Sequence, residues 1–221
     1  MKPKPRSIDE VDEYRGLPAF IVGNSITRRH LDMHQLRGKG LVVGCNRFGQ
    51  DHDFSGYPSL LSASDPKTIE LICRRKWYRK FDSFLMPSNR YAGQLDVPPE
   101  KVILGPGFRK NIPTGERAIQ SVFTFGCHPI FLIGFGGGIE KVEGRDTNNM
   151  YELTDGPYAE LRGHRTLTGH EIAHHQRIEG IWLDTIGLFD FKHPDTLYRV
   201  EDTGNLEFLP YVDWDKLLEA L

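Results

Sequence analysis

The sequence holds little cysteine. Cys45, Cys73 and Cys127 are widely separated in a chain of 221 residues, with no Cys-x-x-Cys pair for zinc or thiol exchange. An odd, sparse set excludes a disulfide framework and fits a reducing compartment. Long apolar runs are missing too: no stretch approaches the roughly 18 residues that would cross a bilayer, so no membrane span is expected. Nor does one sign of charge dominate. Lys and Arg total 28 against 30 Asp and Glu, and a net charge of -2 argues against general affinity for polyanions or anionic membranes. The first sixteen residues, ending at Arg15-Gly16, are charged and lack the apolar centre of a signal peptide. The expected location is the cytoplasm.

What is present describes a globular α/β chain. Hydrophobic residues make up 38% against 26% charged, and the length suits one domain rather than two. Residues 1–16 read as a polar, partly disordered lead-in and residues 17–221 as a single Rossmann-like domain. Ala19-Phe20-Ile21-Val22 is a buried strand stopped by Gly23-Asn24-Ser25, and a helix is expected from about Thr27 to Leu36. Leu41-Val42-Val43 is a second strand, ended by Gly44 and followed by Cys45-Asn46-Arg47-Phe48. Ser64-Asp65-Pro66 opens a helix, with a capping side chain just before a proline in the first turn. Phe84-Leu85-Met86 and Val102-Ile103-Leu104 are further strands. Thr114 is placed to cap a helix that carries Ala118, Val122 and Phe125 on one face and ends at Gly126. A strand at 129–134 follows, and a last helix, about His170 to Glu179, leads into a strand at Ile181-Trp182-Leu183. Short apolar strands alternating with helices predict a mostly parallel sheet covered by helices on both faces.

Such sheets bind ligands in loops at the carboxyl ends of their strands, where helix amino termini attract phosphate. Three loops fit that place: Gly23-Asn24-Ser25, Cys45-Asn46-Arg47 and Pro113-Thr114-Gly115. Their small and amide side chains suit a ribose, base or phosphate, although each alone is also ordinary turn chemistry. Gly134-Phe135-Gly136-Gly137-Gly138 is not a dinucleotide fingerprint, because Ile139 takes the place of the third glycine and the run follows a late strand. His170-Glu171-Ile172-Ala173-His174 matches the zinc-protease pattern, but nothing continues it at the extended spacing toward a third ligand. Among nine histidines it reads as a chance match, and no metal is expected. Arg74 to Lys80 packs five cations and two aromatics into seven residues. It reads first as a solvated helix face with Trp77 and Tyr78 anchored in the core. Its functional alternative is phosphate contact through Arg74, Arg75, Arg79 and Lys80 with base stacking, which would suit a nucleic-acid acceptor.

These loops resemble a known family. Residues 18–48, with Gly23-Asn24-Ser25 and Cys45-Asn46-Arg47-Phe48 after successive strands, resemble the opening of the bacterial lipooligosaccharide sialyltransferases. Residues 112–135 resemble that family's central threonine-glycine, helix and strand unit, and residues 163–183 its Gly-His segment. The first two blocks also resemble the related pterin pyrophosphokinase-like proteins. The resemblance implies a Rossmann-like transferase in which Asn24, Ser25, Asn46, Thr114 and Gly115 hold a nucleotide donor. It further implies His164 as general base and Tyr151 and Tyr158 as groups that stabilise the departing phosphate. One position departs: the aspartate usual after the central strand is Gly136 here, which leaves the donor's sugar and base open.

The implied activity is transfer of a sugar from a nucleotide-activated donor, as co-substrate and without other cofactor, to the hydroxyl of a glycan or a hydroxylated DNA base. A near-neutral histidine can take the acceptor proton, and tyrosine hydroxyls and helix amino termini can meet leaving-group charge without a metal. His170, also preceded by glycine, is the rival base. The alternatives are a nucleotide-dependent pyrophosphokinase or phosphotransferase, a non-catalytic nucleotide-binding module and, last, a zinc hydrolase. Inverting or retaining outcome and homo-oligomerisation stay open.

Overall fold

The strands can be read in chain order from a computed structural model that describes residues 4–88, 96–105, 113–135, 140–142, 145–147, 180, 183–200 and 206–221. They are β1 (Arg6–Ser7), β2 (Ala19–Val22), β3 (Leu41–Cys45), β4 (Ser59–Ser62), β5 (Ser83–Pro87), β6 (Val102–Gly105) and β7 (Ile130–Ile133). β8 (Glu140–Val142) and β9 (Arg145–Thr147) form a separate antiparallel pair, and β10 (Leu197–Arg199) returns to the main sheet. The helices are α1 (Phe48–Asp51), α2 (Pro66–Arg75), α3 (Thr114–Thr124), α4 over residues 183–192 and α5 (Trp214–Ala220).

Eight strands make one all-parallel sheet in the order β1-β6-β5-β4-β3-β2-β7-β10. The inner strands β2, β3 and β7, with β6, are apolar without alternation because both faces are covered. Successive residues therefore enter different cores. Phe20, Val22, Val42, Leu61, Phe84 and Phe131 face a core closed by α2, α5 and the Trp77–Phe81 segment. Ala19, Ile21, Val43, Leu60, Leu85 and Leu132 face the other, closed by Ala118, Ile119, Val122 and Phe125 of α3 and Ile186 of α4. This is the expected Rossmann-like α/β architecture.

From β2 the chain walks outward through β3, β4, β5 and β6, then returns through α3 to β7 on the other flank of β2. The direction of travel thus reverses between β2 and β7, and a crevice is expected at their carboxyl ends.

Four expectations are corrected. Residues 4–16 are part of the fold: β1 pairs with β6, and Ile8, Val11 and Tyr14 are buried. The stretch from Thr27 to Leu36 is two 3₁₀ turns, Ile26–Arg28 and Met33–Leu36, because Asp32 accepts from His34 N and starts a new turn. Leu183 belongs to α4 rather than to a strand, since Leu183, Ile186 and Phe189 recur at helical spacing against the α3-side core. Thr114 is the first residue of α3 rather than its cap, the cap position being taken by extended Pro113. The other helix start is as read: Asp65 Oδ1 accepts from Thr68 N at 2.9 Å with Pro66 in the first turn.

Candidate active site

The loops after β2 and β7 are held together by close backbone contact. Gly23 N donates to Ile133 O at 2.7 Å and Ser25 N to Gly134 O at 2.9 Å. A Cβ on Gly23 would lie 2.3 Å from Gly134 O, so only glycine fits there, and Gly134 itself turns with φ +73°. Arg28, buried to 2% exposure, donates from Nε to Gly23 O at 2.6 Å and lies 5.3 Å over the Phe48 ring. Ser25 caps the first 3₁₀ turn: its Oγ accepts from Thr27 N at 3.4 Å and from Thr27 Oγ1 at 3.1 Å. Asn24 Oδ1 is buried and has no hydrogen-bond partner among the described residues.

One strand over, Asn46 leaves β3 in a left-handed turn, φ 55°, a conformation that asparagine tolerates better than most residues. Its N–H donates to Ser62 O at 2.7 Å. Val22 pairs with Gly44, so Asn24 and Asn46 follow at corresponding places on adjacent strands. Freed from capping, the Thr114 hydroxyl donates to Asn46 Oδ1 at 2.9 Å and lies 2.8 Å from Ser64 Oγ. A hydroxyl has one proton, so Ser64 is the donor in the second bond. Three loops, after β3 and β4 and before α3, are thereby tied together. Gly115 and Glu116 are buried in the first turn of α3, whose N–H groups have no side-chain cap among the described residues.

The surrounding titratable groups are tuned by burial. Burial raises the Glu116 carboxyl, opposed by Arg117 and a hydrogen bond from Gln120. Burial likewise raises Asp51, opposed by Arg28, Arg47 and Lys80. The Cys45 thiol at the end of β3 is pushed to about 12, which makes it no nucleophile at neutral pH. Arg47, 2% exposed, bonds through Nη2 to Gln50 Oε1.

The sequence-predicted residues therefore divide. Asn24, Ser25, Asn46, Thr114 and Gly115 lie along one edge of the sheet, and Asn46 and Thr114 touch. His164, Tyr151 and Tyr158, with the rival His170 and the rest of the zinc-like pattern, lie outside the described residues. Arg74 and Arg75 end α2, about 15 Å of helix from its start beside Ser64, and so do not face this cluster. Trp77 and Tyr78 are buried, Arg79 is exposed over the Tyr78 ring and Lys80 Nζ donates to Gln50 O at 3.1 Å. No helix among the described residues is long and apolar enough to cross a membrane, and no group of three or more His, Cys, Asp or Glu there could hold a metal. Sequence reasoning missed Ser64, read only as part of a helix start, and the buried Arg28 and Arg47. No sequence signal distinguished those arginines from surface ones.

The fold and this edge define a Rossmann-like α/β architecture with a hydrogen-bonded polar cluster at the carboxyl ends of its strands. No family model matches the sequence and no curated protein matches it. Among solved structures it is similar to the monofunctional α-2,3-sialyltransferase Cst-I from Campylobacter jejuni, at TM-score 0.55 and 13% identity over 91% of this chain and 82% of that one. The sialyltransferase CstII from Campylobacter jejuni, with the substrate analogue CMP-3FNeuAc, matches at TM-score 0.54 and 11% identity over 90% of this chain and 87% of that one. CST-II in complex with a trisaccharide acceptor and CMP matches at 0.51 and 12% over 87% and 84%. At these identities the likeness establishes a shared fold with the bacterial sialyltransferases.

Proposed function

We propose that the chain is a glycosyltransferase that moves a sugar from a nucleotide-activated donor to an acceptor hydroxyl, with no cofactor beyond that donor. The observation that carries this reading is the hydrogen-bonded Ser64–Thr114–Asn46 set beside the amino terminus of α3. Because Thr114 engages Asn46 Oδ1, the amide turns its two Nδ2 protons away from the hydroxyl, ready to donate to a ribose, a base carbonyl or a phosphate. The uncapped first turn of α3 suits the phosphate, and Asn24 offers a second amide at the same level of the edge. Similarity to a protein solved with CMP and with CMP-3FNeuAc makes a cytidine monophosphate sugar the donor to try first. The acceptor is a glycan hydroxyl.

In this reading the acceptor oxygen attacks the anomeric carbon while the bond from that carbon to the phosphate oxygen breaks, and the nucleotide leaves. His164 takes the acceptor's proton, and Tyr151 and Tyr158 donate hydrogen bonds to the departing phosphate. Titration calorimetry with CMP, UDP, GDP and ATP tests the site, followed by measurement of nucleotide released from the matching sugar conjugate when lactose is added. Saturable binding of one nucleotide and lactose-dependent release support the reading. Absence of binding by all four overturns it.

A further inference from the structure

Farther along the same carboxyl edge, a cleft of about 520 Å³ opens beyond the nucleotide loops. Its floor includes Ser88, just past β5, and Leu104 near the end of β6, while Ser7, Ile8, Asp9 and Glu10 form a wall. The N-terminal segment holds that wall firmly. Ser7 N donates to Glu10 Oε2 at 2.7 Å, Asp9 N donates to Ser7 Oγ at 3.5 Å, and Ile8 is buried in the core below. Lys4 Nζ lies 3.5 Å from Glu10 Oε1, which pairs one of the two acids.

What is left over defines the ligand. Asp9 keeps an exposed carboxylate whose side-chain contact is the Ser7 hydroxyl at 3.5 Å, and the exposed Ser88 hydroxyl has no partner among the described residues. A carboxylate accepting from neighbouring hydroxyls, a serine that both donates and accepts, and half-buried Leu104 against a ring's C–H face are the chemistry of sugar recognition. The surplus negative charge disfavours a phosphate or an acidic sugar. β4, β5 and β6 are neighbours, so at about 4.8 Å per strand the cleft floor lies roughly 10 Å from Ser64, within reach of a short oligosaccharide.

We propose that this cleft is an acceptor subsite that holds a neutral sugar of the acceptor glycan. Its role as an acceptor site rests on the glycosyltransferase reading; its affinity for a sugar does not. The test is saturation-transfer NMR and calorimetry with lactose, maltotriose and chitotriose, on the parent protein and on Asp9→Asn and Ser88→Trp, with CMP titrated in parallel. Both substitutions are at exposed positions, and thermal melting reports whether each variant is folded. At least one saccharide should bind the parent with Kd of about 1 mM. Asp9→Asn should weaken it about tenfold and Ser88→Trp should abolish it, each with CMP affinity unchanged. A parent that binds none of the three, or binding that a folded variant leaves unaltered, overturns the subsite even where CMP binds. Saccharide binding that responds to both variants in a protein that binds none of CMP, UDP, GDP and ATP keeps the cleft and removes the transferase reading instead.

Discussion

Thr114 Oγ1 donates to Asn46 Oδ1 at 2.9 Å, joining the start of α3 to the turn after β3. Thr114→Val keeps the shape and deletes the proton that orients the Asn46 amide. Loss of one such bond costs about 1 kcal/mol, so affinity for the bound nucleotide should fall roughly fivefold, with the melting temperature lowered by only a few degrees. Calorimetric titration of the variant beside the parent measures it. Unaltered affinity would remove Asn46 from the donor site.

Gly23→Ala should be far more damaging than its size suggests. The added methyl would sit 2.3 Å from Gly134 O, and its nearest neighbours include backbone atoms, which cannot swing aside. Separating β2 from the turn after β7 should cost about 1–3 kcal/mol and open the crevice. Chemical denaturation gives the first quantity and nucleotide titration the second. A variant with parental stability would show that the two loops are not tightly apposed.

His164→Ala should abolish sugar transfer while leaving nucleotide affinity and circular dichroism as in the parent. If the histidine takes the acceptor proton, the loss in turnover is on the order of 10²–10⁴-fold. A product assay with the preferred donor decides it. Turnover within a few-fold of the parent transfers the role to His170, whose alanine variant is then measured in the same way.

His52 predicts an acid weakness. Its ring stacks on Phe48 at 4.3 Å, and burial, assisted by Arg28 and His34 and opposed by Asp32, lowers it from 6.5 to about 4. Between those values the unfolded chain binds a proton that the folded chain refuses. Stability from this residue is therefore full above pH 6.5 and lost as pH falls toward 4. Asp51 and Glu116, raised by burial, act with the opposite sign near the same range, so the comparison is made against His52→Gln. On going from pH 7 to 4.5 the parent should lose on the order of 1 kcal/mol more than the variant in urea unfolding, after allowance for partial solvent screening. Equal losses would refute it.

Five strands of the sheet, β2, β3, β5, β6 and β7, were legible because each is built on a short apolar run stopped by glycine or a polar loop. Ser59-Leu60-Leu61-Ser62 of β4 and Leu197-Tyr198-Arg199 of β10 carry too few apolar residues to be read. Ala19–Val22 and Ile130–Ile133 are buried on both faces, so no alternation confuses them with surface strands. β1 was illegible for the converse reason: Arg6-Ser7 is a two-residue edge strand with no apolar signature. Local capping decided the rest. Asp32 restarts a turn inside the stretch from Thr27 to Leu36 expected to form one helix, and Pro113 displaces Thr114 into the helix. The site was half visible. Asn46 and Thr114 stand out as polar residues after apolar strands, but Ser64 joins them only through a contact between segments 50 positions apart.

The pairing of Arg6 with Ile103 and Ser7 with Leu104 also governs how the molecule comes together. A sheet with only parallel pairings has no hairpin to seed it, so every strand must wait for a crossover to close. β1 leaves the ribosome first among the strands yet can dock only after β6 exists, across one of the longest loops in the sheet. The innermost strands can associate in chain order while this edge stays open, which makes its closure a late, slow event set by chain entropy rather than by local propensity. The wall that carries Asp9 is therefore completed late, long after its own residues have been made.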